Sequence, residues 1–136
     1  PLARTRFLAT THASSRSTQL ETFRAWAGLG SDISYYLNSH HIDLCEWMFG
    51  DRSRPTLVTA VASSGVAAKT LGRPCEDAIS VHASWETPST GSRASTSFTA
   101  CWTAPPSDVH SQQRFFAMCH GGEVRRAGGA RACDHD

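Results

Sequence analysis

Lysine is almost absent from this sequence of 136 residues: 13 residues are basic, and Lys69 is the one lysine among them. The 12 acidic residues leave a net charge of +1, and Arg125–Arg126 is the densest basic pair. A surface that binds nucleic acid needs a basic excess on one face, so the sequence predicts no nucleic-acid partner. A mechanism that needs a lysine amine has a single candidate here.

Long apolar runs are also missing. No stretch approaches the roughly 20 apolar residues of a membrane span, and no charged segment followed by an apolar run indicates a signal peptide. The sequence therefore predicts no membrane partner. It begins at Pro1 rather than at a methionine, and we expect a fragment of a longer protein, with 1–136 as one partial chain.

The cysteines follow no pairing pattern. There are five, at positions 45, 75, 101, 119 and 133, and no two of them are two residues apart. This is not a disulfide framework, so we expect reduced thiols in a cytoplasmic protein. Structural zinc takes its ligands from close-spaced pairs, and Cys119–His120 and Cys133 with His135 lack that spacing, so no metal site is predicted.

One helix stands out in the pattern, over residues 31–49. Ser31 or Asp32 is placed to cap its start, and Gly50 to end it. Apolar residues and one histidine recur at helical spacing and predict one buried stripe, formed by Ile33, Leu37, His40, Leu44, Trp47 and Met48. A shorter helical segment is predicted over Gln19–Ala27.

The rest of the pattern has a period of two, which is typical of strands. The predicted strands are Arg4–Thr11, Pro55–Ser63, Asp77–Glu86, Arg93–Thr103, Gln112–Cys119 and Glu123–Arg126. Short turns separate the later strands, which favours antiparallel pairing. The sequence thus predicts an α+β fold in which helices cover one face of the sheet.

A glycine-rich turn precedes the helix, at Gly28–Gly30. It is similar to the start of a dinucleotide-binding loop, but the third glycine position holds Ile33. A helical segment, and not a strand, is predicted to lead into the turn, so no strand aims it at a pyrophosphate. We therefore expect no cofactor-binding residues in this chain.

His40 is the candidate for chemistry. Tyr36, His40, Asp43 and Trp47 are spaced to share one edge of the helix. An imidazole beside a phenol and a carboxylate can exchange protons near neutral pH. The alternative is a core histidine bonded to Tyr36 or Asp43 with no chemical role, and spacing alone favours that alternative. His41 is expected to face solvent or a neighbouring element.

Three stretches together resemble one family of enzymes, the Gfo/Idh/MocA oxidoreductases. Residues 30–50 are similar to the family's helix after a glycine-rich turn, with its Asp-x-x-x-His-x-x-Asp pattern. Residues 54–61 are similar to its proline-then-strand continuation, and residues 113–124 to its last strands. The resemblance covers Gln19–Val124, and a divergent tail follows at 125–136.

The resemblance implies a two-domain enzyme that acts on a hydroxyl or carbonyl of a sugar or polyol-like small molecule. In this family an N-terminal Rossmann domain binds NAD or NADP. The C-terminal domain is an open, mostly antiparallel sheet that makes subunit contacts. This chain resembles only that domain, over 19–124, so we expect no cofactor binding and no activity from it alone, and a homo-oligomer formed through the sheet.

The resemblance also assigns residues. His40 matches the catalytic histidine, which passes a proton while a hydride moves to or from the nicotinamide. Tyr36 stands where many members carry an Asp, and is taken as its catalytic counterpart, although the unperturbed pKa of a phenol is about 10. Asp43 and Asn38 are expected to bind substrate. Lys69 does not lie in the family's Glu-Lys-Pro segment.

A second hypothesis needs no chemistry at all. The predicted strands present small polar residues on one face, such as Ser80, Ser84 and Ser97. The chain would then be a non-enzymatic α+β module that assembles through its sheet face. A broad exposed sheet face with His40 far from any cleft would favour this hypothesis.

Overall fold

Six strands and two helices make up the described part of the chain. The computed structural model describes residues 5–13, 23–102 and 111–129, with side chains over 23–102 and 113–125. The strands are β1 Thr5–Ala13, β2 Arg54–Ser64, β3 Glu76–Thr87, β4 Ser92–Cys101, β5 Ser111–Cys119 and β6 Gly122–Gly129. A π-helical turn, Ser34–Asn38, leads into helix α1, Ser39–Phe49, and a 3₁₀ turn, Gly50–Arg52, follows it. Helix α2 is Val66–Leu71.

All six described strands lie in one sheet, in the order β2-β3-β4-β1-β5-β6. Neighbouring strands pair antiparallel, except that β1 runs parallel to β4. The sheet does not close, since β2 and β6 are its two edges among the described strands. The predicted α+β fold with an open, mostly antiparallel sheet is therefore confirmed.

The two faces of the sheet differ in burial, as the alternation predicts. On β3, Ala83 and Trp85 are buried, while His82 and Ser84, which alternate with them along the strand, are exposed. The pairing of His82 with Ser97 continues the exposed face onto β4, while Phe98 lies on the buried side. Helix α1 covers the buried side, and we call the other side the open face.

Two apolar clusters fill the space between sheet and helices. The first lies under the start of the helical segment and includes Ile33, Leu71 and Trp102. The second lies under α1 and includes Cys45, Phe49 and Trp85. Burial of these side chains drives the packing of α1 onto the sheet, because each large apolar side chain removed from water contributes about 1.5–3 kcal/mol.

The buried stripe of the helix differs from the prediction. Ile33 is buried as expected, but the stripe then continues through Asn38, His41, Cys45 and Phe49. The predicted members after Leu37, namely His40, Leu44, Trp47 and Met48, are exposed. The reason is the π-helical turn over Ser34–Asn38: it holds more residues per turn than an α-helix, so the face that meets the sheet shifts by one residue.

Helix α2 lies where the sequence predicts no element, between the strands Pro55–Ser63 and Asp77–Glu86. Its start is held by Asp77, whose carboxylate oxygens accept the backbone N–H groups of Val66 at 2.9 Å and Ala67 at 2.6 Å. This satisfies two of the donors that a helix start leaves free. The predicted segment Gln19–Ala27 lies partly outside the described residues, and its described part is a helical turn in which the Ala27 N–H donates to the Phe23 carbonyl.

Candidate functional site

Three of the predicted site residues lie on the outer side of the helical segment. His40 and Asp43 are exposed on α1, and Tyr36 is 42% exposed on the π-helical turn before it. His40 and Asp43 are three residues apart and lie on one side of α1. The phenol, the imidazole and the carboxylate all lie on the accessible surface of the segment, outside the buried stripe that meets the sheet. We call this surface, Tyr36, His40 and Asp43, the outer helix face.

An aromatic cluster supports the Tyr36 ring. Its centroid lies 5.1 Å from the ring of Phe23 and 5.2 Å from the ring of Trp26, both in tilted arrangements. Both rings also contact the buried Trp102, at 5.8 Å and 6.0 Å. Tilted ring pairs at these distances are favourable beyond the apolar area that they bury. The cluster therefore restrains the Tyr36 ring on the side of Phe23 and Trp26, while the rest of the ring stays accessible.

Asp32 fixes the start of the helical segment. Its Oδ1 accepts the backbone N–H of Tyr35 at 2.7 Å, and its carbonyl accepts the N–H of Tyr36 at 3.1 Å. The predicted capping role is thus carried by Asp32. Both bonds hold the backbone at the point where the outer helix face begins.

Asn38, the other predicted substrate-binding residue, is 0% exposed. Its Nδ2 donates to Ser34 Oγ at 2.8 Å, while no described group pairs with its Oδ1. Full burial does not favour direct contact between Asn38 and a substrate. In this structure its side chain packs between the π-helical turn and the sheet.

His41, expected at solvent or a neighbouring element, is buried. Burial lowers the pKa of its imidazole below the ordinary 6.5, and the adjacent His40 acts in the same direction. A hydrogen bond with the backbone of Leu37 has the opposite effect on this pKa. In the folded chain the neutral imidazole is therefore favoured, and the two adjacent histidines differ in environment.

The burial of His41 predicts a loss of stability in acid. Because its pKa is lower in the folded chain than in the unfolded one, the unfolded chain binds the extra proton first. The contribution is present above pH 6.5 and is lost as the pH falls below that value. Urea unfolding between pH 7.5 and 5 should show this decline, and His41→Gln should flatten it. His40→Gln is the matched control, and an equal flattening in that variant would contradict the assignment.

The buried thiols of Cys45 and Cys75 are poor nucleophiles. Burial raises the pKa of Cys45 to about 12, and Glu46 adds to the shift. Burial also raises the pKa of Cys75. A thiol is a nucleophile only as thiolate, so neither residue is suited to covalent catalysis at neutral pH.

Metal ligands do not come together among the described residues, and the glycine-rich turn has a packing role. No group of three or more metal-ligating side chains comes together in the part of the chain that the structure describes. A Cβ atom at Gly28 would lie 2.4 Å from the Pro74 carbonyl oxygen, so this glycine permits close packing of two backbone segments. Among the described helices, none has the length and apolar character needed to cross a membrane.

The open face presents a polar centre between an apolar margin and a margin that carries both an aromatic and charged groups. In its centre, Ser80 Oγ and Thr99 Oγ1 are 2.9 Å apart, and His82 is exposed beside them. Leu57 and Val61 of β2 are exposed at one margin. At the other, the Arg125 guanidinium lies 5.2 Å from the centroid of the Phe116 ring.

Comparison with known proteins finds similarity at the level of the fold. No family model and no curated protein sequence matches the chain. Among solved structures, the scyllo-inositol dehydrogenase from Lactobacillus casei, with bound NAD(H) and scyllo-inositol, matches 89% of this chain with a TM-score of 0.64 and 15% identity. The myo-inositol 2-dehydrogenase from Lactobacillus plantarum matches 88% with a TM-score of 0.61 and 19% identity. A putative myo-inositol dehydrogenase from Sinorhizobium meliloti 1021 matches 90%, at 0.54 and 19%.

This chain has the fold of one part of an inositol dehydrogenase. It spans 33%, 33% and 32% of the three dehydrogenase chains. The fold that the Gfo/Idh/MocA resemblance implied is confirmed by this likeness.

The aromatic support beneath Tyr36 could not be inferred from the sequence. Trp26 and Trp102 were placed on separate elements with no indication that they meet under Tyr36. The turn also had only a weak signal in the sequence. Asn38, the residue that the turn brings to the buried side, is polar and directly follows Leu37, the residue that the stripe predicts there. An uninterrupted α-helix would have placed Leu37 and His40, rather than Asn38 and His41, toward the sheet.

Proposed function

We propose that this chain is the substrate and oligomerisation domain, over residues 19–124, of an NAD(P)-dependent oxidoreductase. Its substrate would be a sugar or polyol-like molecule with a hydroxyl or carbonyl at the reacting carbon. The observation that carries this proposal is the accessible outer helix face, in a chain whose fold is that of about one third of three inositol dehydrogenases. The domain would be the C-terminal one, with residues 125–136 as a divergent tail.

The proposed chemistry of this chain is proton transfer. When a substrate hydroxyl becomes a carbonyl, its O–H bond breaks and the proton needs an acceptor. The exposed imidazole of His40 takes that proton in the oxidation and returns it in the reduction, because histidine exchanges protons near neutral pH. Tyr36, four residues earlier, donates or accepts a hydrogen bond at the same substrate oxygen. Asp43, three residues later, binds a neighbouring hydroxyl through its carboxylate.

The residues that the structure describes offer no loop suited to the nicotinamide cofactor. Gly28 packs against Pro74, and a helical turn rather than a strand precedes the loop, so the loop lacks the strand-to-helix geometry that places a pyrophosphate at a helix start. The oxidant, NAD or NADP, therefore belongs to another part of the full-length parent. We propose that the chain alone binds no cofactor and catalyses no turnover.

The sheet supports a role in assembly. The open face is broad and polar in its centre, and the helices leave it uncovered in this structure. We propose that copies of the chain meet through this face, as a homo-oligomer. None of the four described cysteines forms a disulfide within the described residues, which supports a cytoplasmic setting.

The second candidate function, a non-enzymatic α+β module, shares the assembly surface but not the chemistry. The observation in its favour is the exposure of small polar residues on the open face, including Ser84 and Ser95. It predicts a parent that binds no nicotinamide. The enzyme proposal predicts a parent that does.

Calorimetric titration with NADH and NADPH separates these proposals. We expect the full-length parent to bind one of the two, and the chain of 136 residues to show no heat of binding at the same concentrations. The reason is that the described residues lack a strand-to-helix phosphate loop. Tight binding by the chain alone would contradict the domain assignment, and no binding by the parent would favour the non-enzymatic module.

A further inference from the structure

Strand β2 is an uncovered edge of the sheet. It pairs with β3 on one side, and no described strand lies on its other side. All of its residues are exposed, including three large apolar ones: Leu57, Val58 and Val61. An edge strand of this kind presents a row of backbone N–H and C=O groups that can pair with another strand.

The features that protect most edge strands are confined to the two ends of β2, where Arg54, Pro55 and the irregular pairing lie. From Pro55 to Ala68 the sequence contains no charged residue, whereas natural edges are commonly blocked by lysine or other charges. The pairing with β3 is irregular between Pro55 and Leu57 and again between Ser63 and Ser64. Between these points, Leu57–Ser63 is a regular, neutral strand with apolar side chains on both faces.

This strand is complementary to itself. If two copies run antiparallel about Thr59, Leu57 of one copy meets Val61 of the other on the open face. On the helix side, Val58 of one copy meets Ala60 of the other. Open-face residues of one copy thus meet open-face residues of the other, and helix-side residues meet helix-side residues. Apolar pairs across the two strands stabilise such a ladder.

We propose that β2 is a pairing surface for a second copy of this chain, joined antiparallel about Thr59. The two sheets then form one continuous sheet across a two-fold axis perpendicular to it. No like charges meet along the new ladder, and the contact is closed because each copy has one β2 edge. This goes beyond the proposed assembly through the open face, since it uses the strand edge and leaves both open faces on the same side, free to stack.

Val58 and Val124 provide a matched pair of variants. Both are valines on edge strands, and their exposed fractions are 58% and 60%. Their partners Ala83 and Ala117 both belong to the cluster under α1, so both valines lie on the helix side, away from the open face. Sedimentation equilibrium of the chain should show a dimer whose Kd rises about tenfold or more in Val58→Lys, because an apolar contact is lost and an ammonium is placed near the two-fold axis. Val124→Lys should leave the Kd unchanged.

The register has its own test. Chains carrying Val58→Lys and chains carrying Ala60→Glu should each dimerise weakly, yet a mixture of the two should recover a dimer, because the introduced ammonium then faces the introduced carboxylate. Failure of the mixture to recover would overturn the register about Thr59. A chain that stays monomeric, or a dimer that Val58→Lys leaves intact, would overturn the edge proposal.

Ser97→Arg separates this surface from the open face. Ser97 lies in the centre of that face, opposite His82. If Ser97→Arg abolishes the dimer and Val58→Lys does not, the copies meet face to face and the edge is not used. Neither result bears on cofactor binding, so failure of the edge proposal is distinguishable from failure of the proposed enzyme function.

Discussion

Replacing His40 by alanine in the full-length parent should lower kcat by about a hundredfold to ten-thousandfold, the range in which general acid–base catalysis contributes. The imidazole is exposed on the outer helix face, where it can reach a substrate hydroxyl. Without it, the proton released in the oxidation has no positioned acceptor. Cofactor affinity should change little, because no nucleotide-binding residue is expected in this chain. Steady-state kinetics combined with a cofactor titration measure both quantities.

His120→Ala is the matched control for this experiment. His120 is an exposed histidine of the same chain, but it lies in the turn between β5 and β6, outside the outer helix face and the centre of the open face. We expect its kcat to equal that of the wild type. A His40→Ala enzyme with unchanged kcat would exclude His40 as the proton acceptor, and an equal loss in His120→Ala would point to a general effect on folding.

The strands could be predicted from the sequence because burial alternates along them. In β3 and β4, small polar residues such as Ser84 and Ser95 face away from the helices, while Trp85 and Phe98 face the core. Period-two alternation of this kind depends only on the pleat of each strand. The parallel pairing of β1 with β4 depends instead on a contact far along the chain, and no local pattern specifies it.

The outer helix face could be predicted only in part. The residues that carry it, Tyr36 and His40, were found from spacing and resemblance. Their exposure was not, because the prediction assumed one uninterrupted α-helix from Ile33 onward. Because of the π-helical turn, His41 rather than His40 faces the sheet. His40, the candidate catalytic histidine, therefore stays accessible.

The sheet separates two surfaces with different proposed roles. The outer helix face lies on one side, with an accessible imidazole and phenol, and the open face lies on the other. Residues on β3 alternate between the core beneath α1 and the open face, so this strand contributes side chains to both sides of the sheet. A substitution on the open face can therefore alter assembly without any direct contact with the residues of the outer helix face.

Trp102→Ala should cost about 3–5 kcal/mol of unfolding free energy, as large aromatic truncations in a core do. Trp102 is 1% exposed, and its Nε1–H donates to the Glu76 carbonyl at 2.6 Å. Its removal leaves a cavity beneath the rings of Phe23 and Trp26 and an unpaired carbonyl. Urea unfolding followed by circular dichroism measures the loss.

Trp47→Ala is the matched control, since Trp47 is 84% exposed on α1 and its truncation should change the unfolding free energy by no more than about 0.5 kcal/mol.

A domain is typically stable by only 5–15 kcal/mol, so Trp102→Phe provides a milder variant if the alanine form does not fold. Trp102→Phe keeps a ring under Phe23 and loses the hydrogen bond, and should cost about 1–3 kcal/mol. Because Phe23 and Trp26 also hold Tyr36, both Trp102 variants should increase the mobility of the Tyr36 ring, which NMR relaxation of that ring reports. Equal losses of stability in Trp47→Ala and Trp102→Ala would contradict the placement of Trp102 in the core.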